Sequence, residues 1–254
     1  MEQKGESDSY SDQRTACLNC EGELAGRFCA DCGQAASIQR YSLKSIGNEL
    51  YEQFRKIDAL TTLRTFWQLT AHPGDFVTSY LSGKRVGYLS PVKYFFYSFV
   101  VQVLVGSWLF WITNDHSLDQ MSHVEFRVEI VSFVSTAFWG ILWALFYRKS
   151  ELNIVENMMA AVFFVGQTNF FSIIFHTAML PFLRAGLITD QSVDIYDLAT
   201  HLAYSFYFSR QLFRERLLLL IPKQLVLSIL YFGLIVVIFF SVAFMGAMFG
   251  HVKQ

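Results

Sequence analysis

The sequence predicts an all-α polytopic membrane protein of about five transmembrane helices, headed by a small cysteine knuckle at its N-terminus. Three observations predict it. Only 16% of the 254 residues are charged and 53% are apolar, whereas soluble domains carry about 25% charged residues; mean hydropathy is +0.34. The charges are also unevenly spread. No Asp, Glu, Lys or Arg occurs from Tyr94 to Asn114, Ile130 to Tyr147, Asn157 to Leu183 or Gln224 to Val252, and apolar runs of about 18 or more residues are candidate membrane helices. Finally, all four cysteines lie between Cys17 and Cys32. The pattern excludes an ordinary soluble domain and a disordered chain alike.

Taken in order, residues 1–16 are polar and acidic with no apolar core, which predicts a disordered tail and no signal or transit peptide. Residues 17–36 hold Cys17-Leu-Asn-Cys20 and Cys29-Ala-Asp-Cys32. Two thiolates two residues apart reach one ion from a tight turn, and two such turns form a tetrahedral site of the structural zinc type. The expectation is a zinc-ribbon-like knuckle with Cys17, Cys20, Cys29 and Cys32 as ligands, Gly22 and Gly33 supplying backbone freedom. Iron in the same site and a redox dithiol pair are the alternatives. So short a segment draws its folding free energy from the metal. Glu21, Glu23 and Asp31 outnumber Arg27, which speaks against nucleic acid, and reduced thiols place the head in the cytosol.

From Ser42 onward, Leu43, Ile46, Leu50, Phe54, Ile57, Leu60, Leu63 and Trp67 recur at helical steps of three and four, predicting an amphipathic helix that ends before His72-Pro73-Gly74. It either packs on protein or lies in the membrane interface; the nearby hydrophobic span favours the interface. Pro73 near its start and Gly83 just past its end predict a short second helix. Lys84, Arg85 and Lys93 follow within the juxtamembrane segment that closes residues 42–93. They read as topology-setting cations that meet anionic headgroups, or more sharply as contacts to a phosphate-bearing ligand.

Gly26-Arg-Phe-Cys-Ala-Asp-Cys-Gly-Gln34, Pro73-Gly74, Tyr80-Leu-Ser-Gly-Lys-Arg85 and Pro91 together resemble a bacterial family of uncharacterised integral membrane proteins, in which a zinc-ribbon-like head precedes a PGxxxxxYLxGKR segment and several membrane helices. The resemblance covers about residues 17–100 by motif and the remainder by hydropathy layout. It implies a bacterial inner-membrane location and adds no activity.

The spans of the bundle over 94–254 are predicted at about 94–113, 129–147, 158–182, 188–209 and 225–249. The fourth is crowded at its start by Asp190, Asp194 and Asp197, so a re-entrant segment is its alternative. Loop charge argues that it spans. Arg148 and Lys149 share the side of Lys84, Arg85 and Lys93 in either case, but Arg210, Arg214, Arg216 and Lys223 join them only if it does. That puts the N-terminus in the cytosol and the C-terminus outside.

Within the spans, Asn169, Ser172 and His176 share one helix face, and Asp197, His201 and Ser205 share another. Side chains stacked along one helix axis do not converge into a catalytic triad. The set Asn169, His176, Asp197 and His201 therefore reads as interhelical hydrogen bonding or as a polar pathway. His72, His116 and His123 form no ligand motif, and no HExxH or glycine-rich phosphate loop is present. The expected function is a non-enzymatic interaction or regulatory module with zinc in a cytosolic head, partnered by the lipid bilayer and a cytosolic protein. A proton or small-solute transporter is the alternative, and a lipid-modifying enzyme acting at Lys84 and Arg85 comes third.

Overall fold

The computed structural model describes residues 15–36, 59–113 and 136–250. Residues 1–14 of the predicted tail, the first part of the amphipathic helix, and the loop carrying His116 and His123 lie outside the described residues, whereas Thr15 and Ala16, placed in that tail by the sequence, are paired into the cysteine head.

These residues form a mostly helical protein with no strands, only isolated bridges in the cysteine head. The helices are α1 (Ala59–Ala71), α2 (Pro73–Leu81), α3 (Pro91–Thr113), α4 (Thr136–Phe146), α5 (Ile154–Arg184), α6 (Asp190–Phe213) and α7 (Leu217–Gly250). Proline sets three of the boundaries, since it lacks the N–H a helix interior needs but fits the first turn: α1 stops before Pro73, which opens α2, and Pro91 opens α3. Helix α5 is fixed at its start by a reciprocal capping box. The Asn153 side chain accepts from the Glu156 N–H at 2.8 Å, and the Asn153 N–H donates to the Glu156 carboxylate at 2.8 Å.

Among the described residues, α5 is the one helix that is long and apolar enough by length and composition to cross a membrane. Its 31 residues rise about 46 Å at 1.5 Å each, more than the roughly 30 Å of a hydrocarbon core. Helices α3 and α5 form the most extensive helix pair. They meet at Gly166, where an added Cβ would lie 2.9 Å from the Tyr94 ring and 3.2 Å from the Phe95 backbone. Helix α4 crosses α5 as closely, with Gly140 against the Met158 backbone.

Buried residues of α5 run from Glu156 to Thr168, and aromatic rings pack around that half: Trp139 and Trp143 of α4, Phe163 and Phe164 of α5, Tyr204 and Phe208 of α6. The core therefore sits at the end of the bundle nearest α1 and α2. Away from it, Ile174, Phe182, Val237 and Phe240 are exposed, apolar surface suited to lipid.

Helix α1 inserts into this core by its polar side. Thr65 and Leu69 are fully buried, while Leu60, Leu63 and Trp67, members of the predicted apolar stripe, are 79%, 53% and 60% exposed. Thr65 and Thr70 hydroxyls donate to the Thr61 and Phe66 carbonyls at 2.8 Å, which satisfies them locally and lets Thr65 be fully buried and Thr70 half-buried. The last carbonyls of α1, left without intrahelical donors, are met from α6: Tyr204 donates to Leu69 at 2.8 Å and Tyr207 to Ala71 at 2.5 Å.

A buried chain of hydrogen bonds ties the same end together. The Tyr94 hydroxyl donates to Gln167, whose amide donates to the Thr70 hydroxyl at 2.9 Å. Gln167→Leu leaves Tyr94 and Thr70 short of a partner in the core. It should cost about 1–2 kcal/mol and lower the melting temperature in detergent by a few degrees. An unchanged melting temperature would show that the chain contributes no net stability.

Candidate metal centre

The cysteine head is one turn built twice. Each copy has the first cysteine N–H donating five residues ahead, Cys17 to Gly22 and Cys29 to Gln34, both at 2.8 Å. In each, the residue after the second cysteine donates back to the first cysteine's carbonyl, Glu21 to Cys17 at 2.9 Å and Gly33 to Cys29 at 3.0 Å. Each is closed by one antiparallel bridge, Ala16 with Glu23 and Phe28 with Ala35. The chain must reverse directly after the second cysteine if both thiols are to face inward, and that residue takes a left-handed conformation: Glu21 at φ 63°, Gly33 at φ 73°. Glycine adopts this at little cost. The expected role of Gly33 holds, but the counterpart in the first turn is Glu21 and not Gly22. Gly22 serves close approach instead, because a Cβ there would lie 2.2 Å from the Asp31 carboxylate of the other turn.

The turns bring all four sulfurs within 4.8 Å of one another. The nearest pairs cross between the turns, Cys17 with Cys32 at 3.6 Å and Cys20 with Cys29 at 3.5 Å. These separations far exceed a disulfide bond of about 2.0 Å and match the edges of a tetrahedron, about 3.8 Å for metal–sulfur bonds near 2.3 Å. Cys17 and Cys29 are buried and Cys20 faces solvent. N–H groups of Cys20 and Asn19 draw the Cys17 thiol down to about 7. Cys20, despite the N–H of Gly22, is pushed up to about 12, chiefly by the Cys29 thiol. Ionising one thiol in such a cluster opposes ionising the next, and a divalent cation removes that conflict. The donor set thus fits a metal ion held by four cysteines.

Each turn also touches the helical body at one place, the loop after α2. Gly83 lies against Leu18, where an added Cβ would approach the leucine methyl to 2.6 Å. The buried Gln34 side chain accepts the Arg85 N–H at 3.3 Å. Gly83 has φ 119°, a conformation suited to glycine. On its other side the loop is held by the body: Leu89 N–H donates to the Thr65 hydroxyl at 3.0 Å, and the Lys84 N–H donates to the Ser79 carbonyl at 3.0 Å.

The three predicted juxtamembrane cations go to three different places. Lys84 lines a cavity of about 380 Å³ with Gln68, His72, Asp75, Phe76, Ser79 and Tyr88. The Arg85 guanidinium lies 5.7 Å from the Tyr80 ring centroid, and the Lys93 ammonium 5.6 Å from that of Tyr97. The intramembrane set is divided as well. Asn169 donates to Ser98 of α3 at 3.3 Å, the Ser172 hydroxyl donates to Asp197 at 2.8 Å, and His176 Nδ1 lies 2.9 Å from the Ser172 carbonyl of its own helix. His201 meets the Phe164 ring edge-on.

Arg214 pairs with Asp75 at 2.9 Å, Lys223 pairs with Glu215, and Tyr147 at the end of α4 donates to Gln224 at 3.1 Å beneath the Lys223 ammonium.

Residues 62–103, covering most of α1, all of α2, the loop and the first half of α3, match the family described as Protein of unknown function (DUF3667). The match begins after the cysteine head. No curated protein and no solved structure matches the chain.

Proposed function

We propose that the chain is a multi-pass protein of a bacterial inner membrane, with a cytosolic head that holds one zinc ion and acts as a non-enzymatic regulatory or interaction module on the membrane bundle. The observation that carries this reading is the contact of both cysteine turns with one loop, Leu18 on Gly83 and Gln34 on Arg85. Metal held in the head fixes that loop, and whatever strips the metal or binds the head alters it. Four protein ligands complete a tetrahedral site and leave no position for a substrate, which suits a structural ion.

A five-span layout with a cytosolic N-terminus takes support from Arg214, which pairs with Asp75 of α2 and so sets the basic segment 210–223 beside the helix that leads into the Lys84–Arg85 loop. The exposed Leu60, Leu63 and Trp67 suit a helix α1 resting on the membrane interface. Asn169, His176, Asp197 and His201 are read as packing contacts rather than as a conduit. Two of the hydrogen bonds among them tie α5 to α3 and to α6 separately.

The test is hydrogen exchange of the detergent-purified protein with and without a zinc chelator. Amides of Gly83, Lys84 and Arg85 should exchange about tenfold faster or more once the metal is removed, while those in the buried half of α5 stay protected. Equal exchange in the loop with and without metal would sink the regulatory coupling.

A further inference from the structure

The cavity beneath the Gly83–Arg85 loop has the chemistry of an anion site, and we infer that it binds a phosphate group, carried either by a membrane lipid headgroup or by a soluble phosphate compound. Its polar walls come from three elements: Gln68 and His72 from α1 and its end, Asp75 and Ser79 from α2, Lys84 and Tyr88 from the loop. One ammonium, two hydroxyls, an amide and an imidazole offer donors from several directions, as a multi-oxygen anion requires. Asp75 is the one carboxylate among them, and its charge is matched by Arg214 at 2.9 Å. Among the described residues, Lys84 has no carboxylate within ion-pair distance. The cavity is thus left with a net positive charge. His72 and Asp75 place the N-terminus of the nine-residue helix α2 at the wall, which adds a favourable partial charge for an anion.

Position and size narrow the ligand. About 380 Å³ suits a phosphate with a small organic group, not a peptide segment. Helix α3 begins at Pro91, just beyond Tyr88; the lipid source therefore rests on the proposed membrane layout, which puts the cavity at headgroup depth, whereas a soluble phosphate does not. Of the three clustered cations only Lys84 lines this space, and its backbone is held between Gly83 under Leu18 and Arg85 bonded to Gln34.

The full-length protein in detergent is titrated with inorganic phosphate followed by phosphorus NMR, and with a short-chain phosphatidylglycerol followed by native mass spectrometry. Saturable binding of either probe, weakened about tenfold or more by Lys84→Gln, the loss expected of one charge-assisted contact, supports the site. Phosphate binding points to the soluble source, and binding of the phospholipid alone points to the lipid. Tyr88→Phe removes one hydroxyl, keeps the ring and should weaken binding severalfold even if Lys84→Gln folds poorly. Lys93→Gln, outside the cavity, should leave binding unchanged. The proposal is overturned if neither probe binds, if Lys84→Gln and Tyr88→Phe both bind as the parent does, or if Lys93→Gln loses as much as they do. Phosphate binding with the membrane layout disproved leaves this site standing, and failure of both probes leaves the zinc reading untouched.

Discussion

Cys29→Ser should empty the metal site and unfold the head while the helical bundle stays assembled. Cys29 is buried, its N–H fastens the second turn to Gln34, and its thiol is the near neighbour of Cys20. Residues 15–36 form no strand or helix and bury few apolar side chains beyond the cysteines themselves. Too little surface leaves water to offset the entropy of ordering them, so the ion must supply the difference. In isolated zinc modules the apparent contribution is about 10–16 kcal/mol, and loss of one ligand removes most of it. Elemental analysis should fall from about one zinc per chain, the stoichiometry of a single tetrahedral site, to a trace. Trypsin should then cut at Arg27, between the turns, far faster than in the parent protein. Zinc retained in full by the variant would contradict the four-thiol assignment. Iron at the same stoichiometry in the parent would replace the structural reading with a redox one.

The cysteine site was legible because its information is local. Two residues between thiols set the reach of each turn, and neighbours in sequence are neighbours in space. The helices were legible for a related reason, as runs without charge and steps of three and four report one element at a time. What periodicity does not report is which side of an element meets which partner. Helix α1 displays an apolar stripe, yet it buries Thr65 beside Leu69 and turns Leu63 and Trp67 outward. Its threonines satisfy themselves within the helix, and α6 caps its end. Asn169, Ser172 and Asp197 were legible as polar residues on helix faces, but their assignment to Ser98 on one side and to each other on the other needed the packed bundle. The twelve-residue spacing of the two CxxC pairs shows the duplication, but not that its copies share backbone bonds and a left-handed residue, Glu21 in one copy and Gly33 in the other. Likewise Leu18 and Gln34 carry no chemical motif. Their importance comes from contacts to Gly83 and Arg85, far away along the chain.

Gly74→Val should destabilise the bundle more than any single loss of a hydrogen bond. Pro73-Gly74 reads in sequence as a helix start, and proline at the first position explains half of it. The glycine is required by α6. A Cβ on residue 74 would sit 2.3 Å from the Gln211 backbone carbonyl carbon and 2.5 Å from its oxygen, contacts with main chain that no rotamer change relieves. The two helices must part, which breaks the Gly74 N–H bond to the Gln211 side chain at 3.3 Å and draws Asp75 from Arg214. Overpacking costs about 1–3 kcal/mol where side chains can adjust, and against backbone the top of that range or more is expected. In a chain of this size about 3 kcal/mol lowers the melting temperature by roughly 6–12 °C. Gly106→Ala is the matched control, since nothing lies within 4 Å of its added Cβ. Alanine there should be neutral or gain up to about 1 kcal/mol of helix propensity. Equal melting temperatures for the two variants would mean that α2 does not press on α6. A large drop confined to Gly74→Val would show that this glycine, within the segment shared with the matched family, seats α2 on the bundle and with it the loop that carries Lys84.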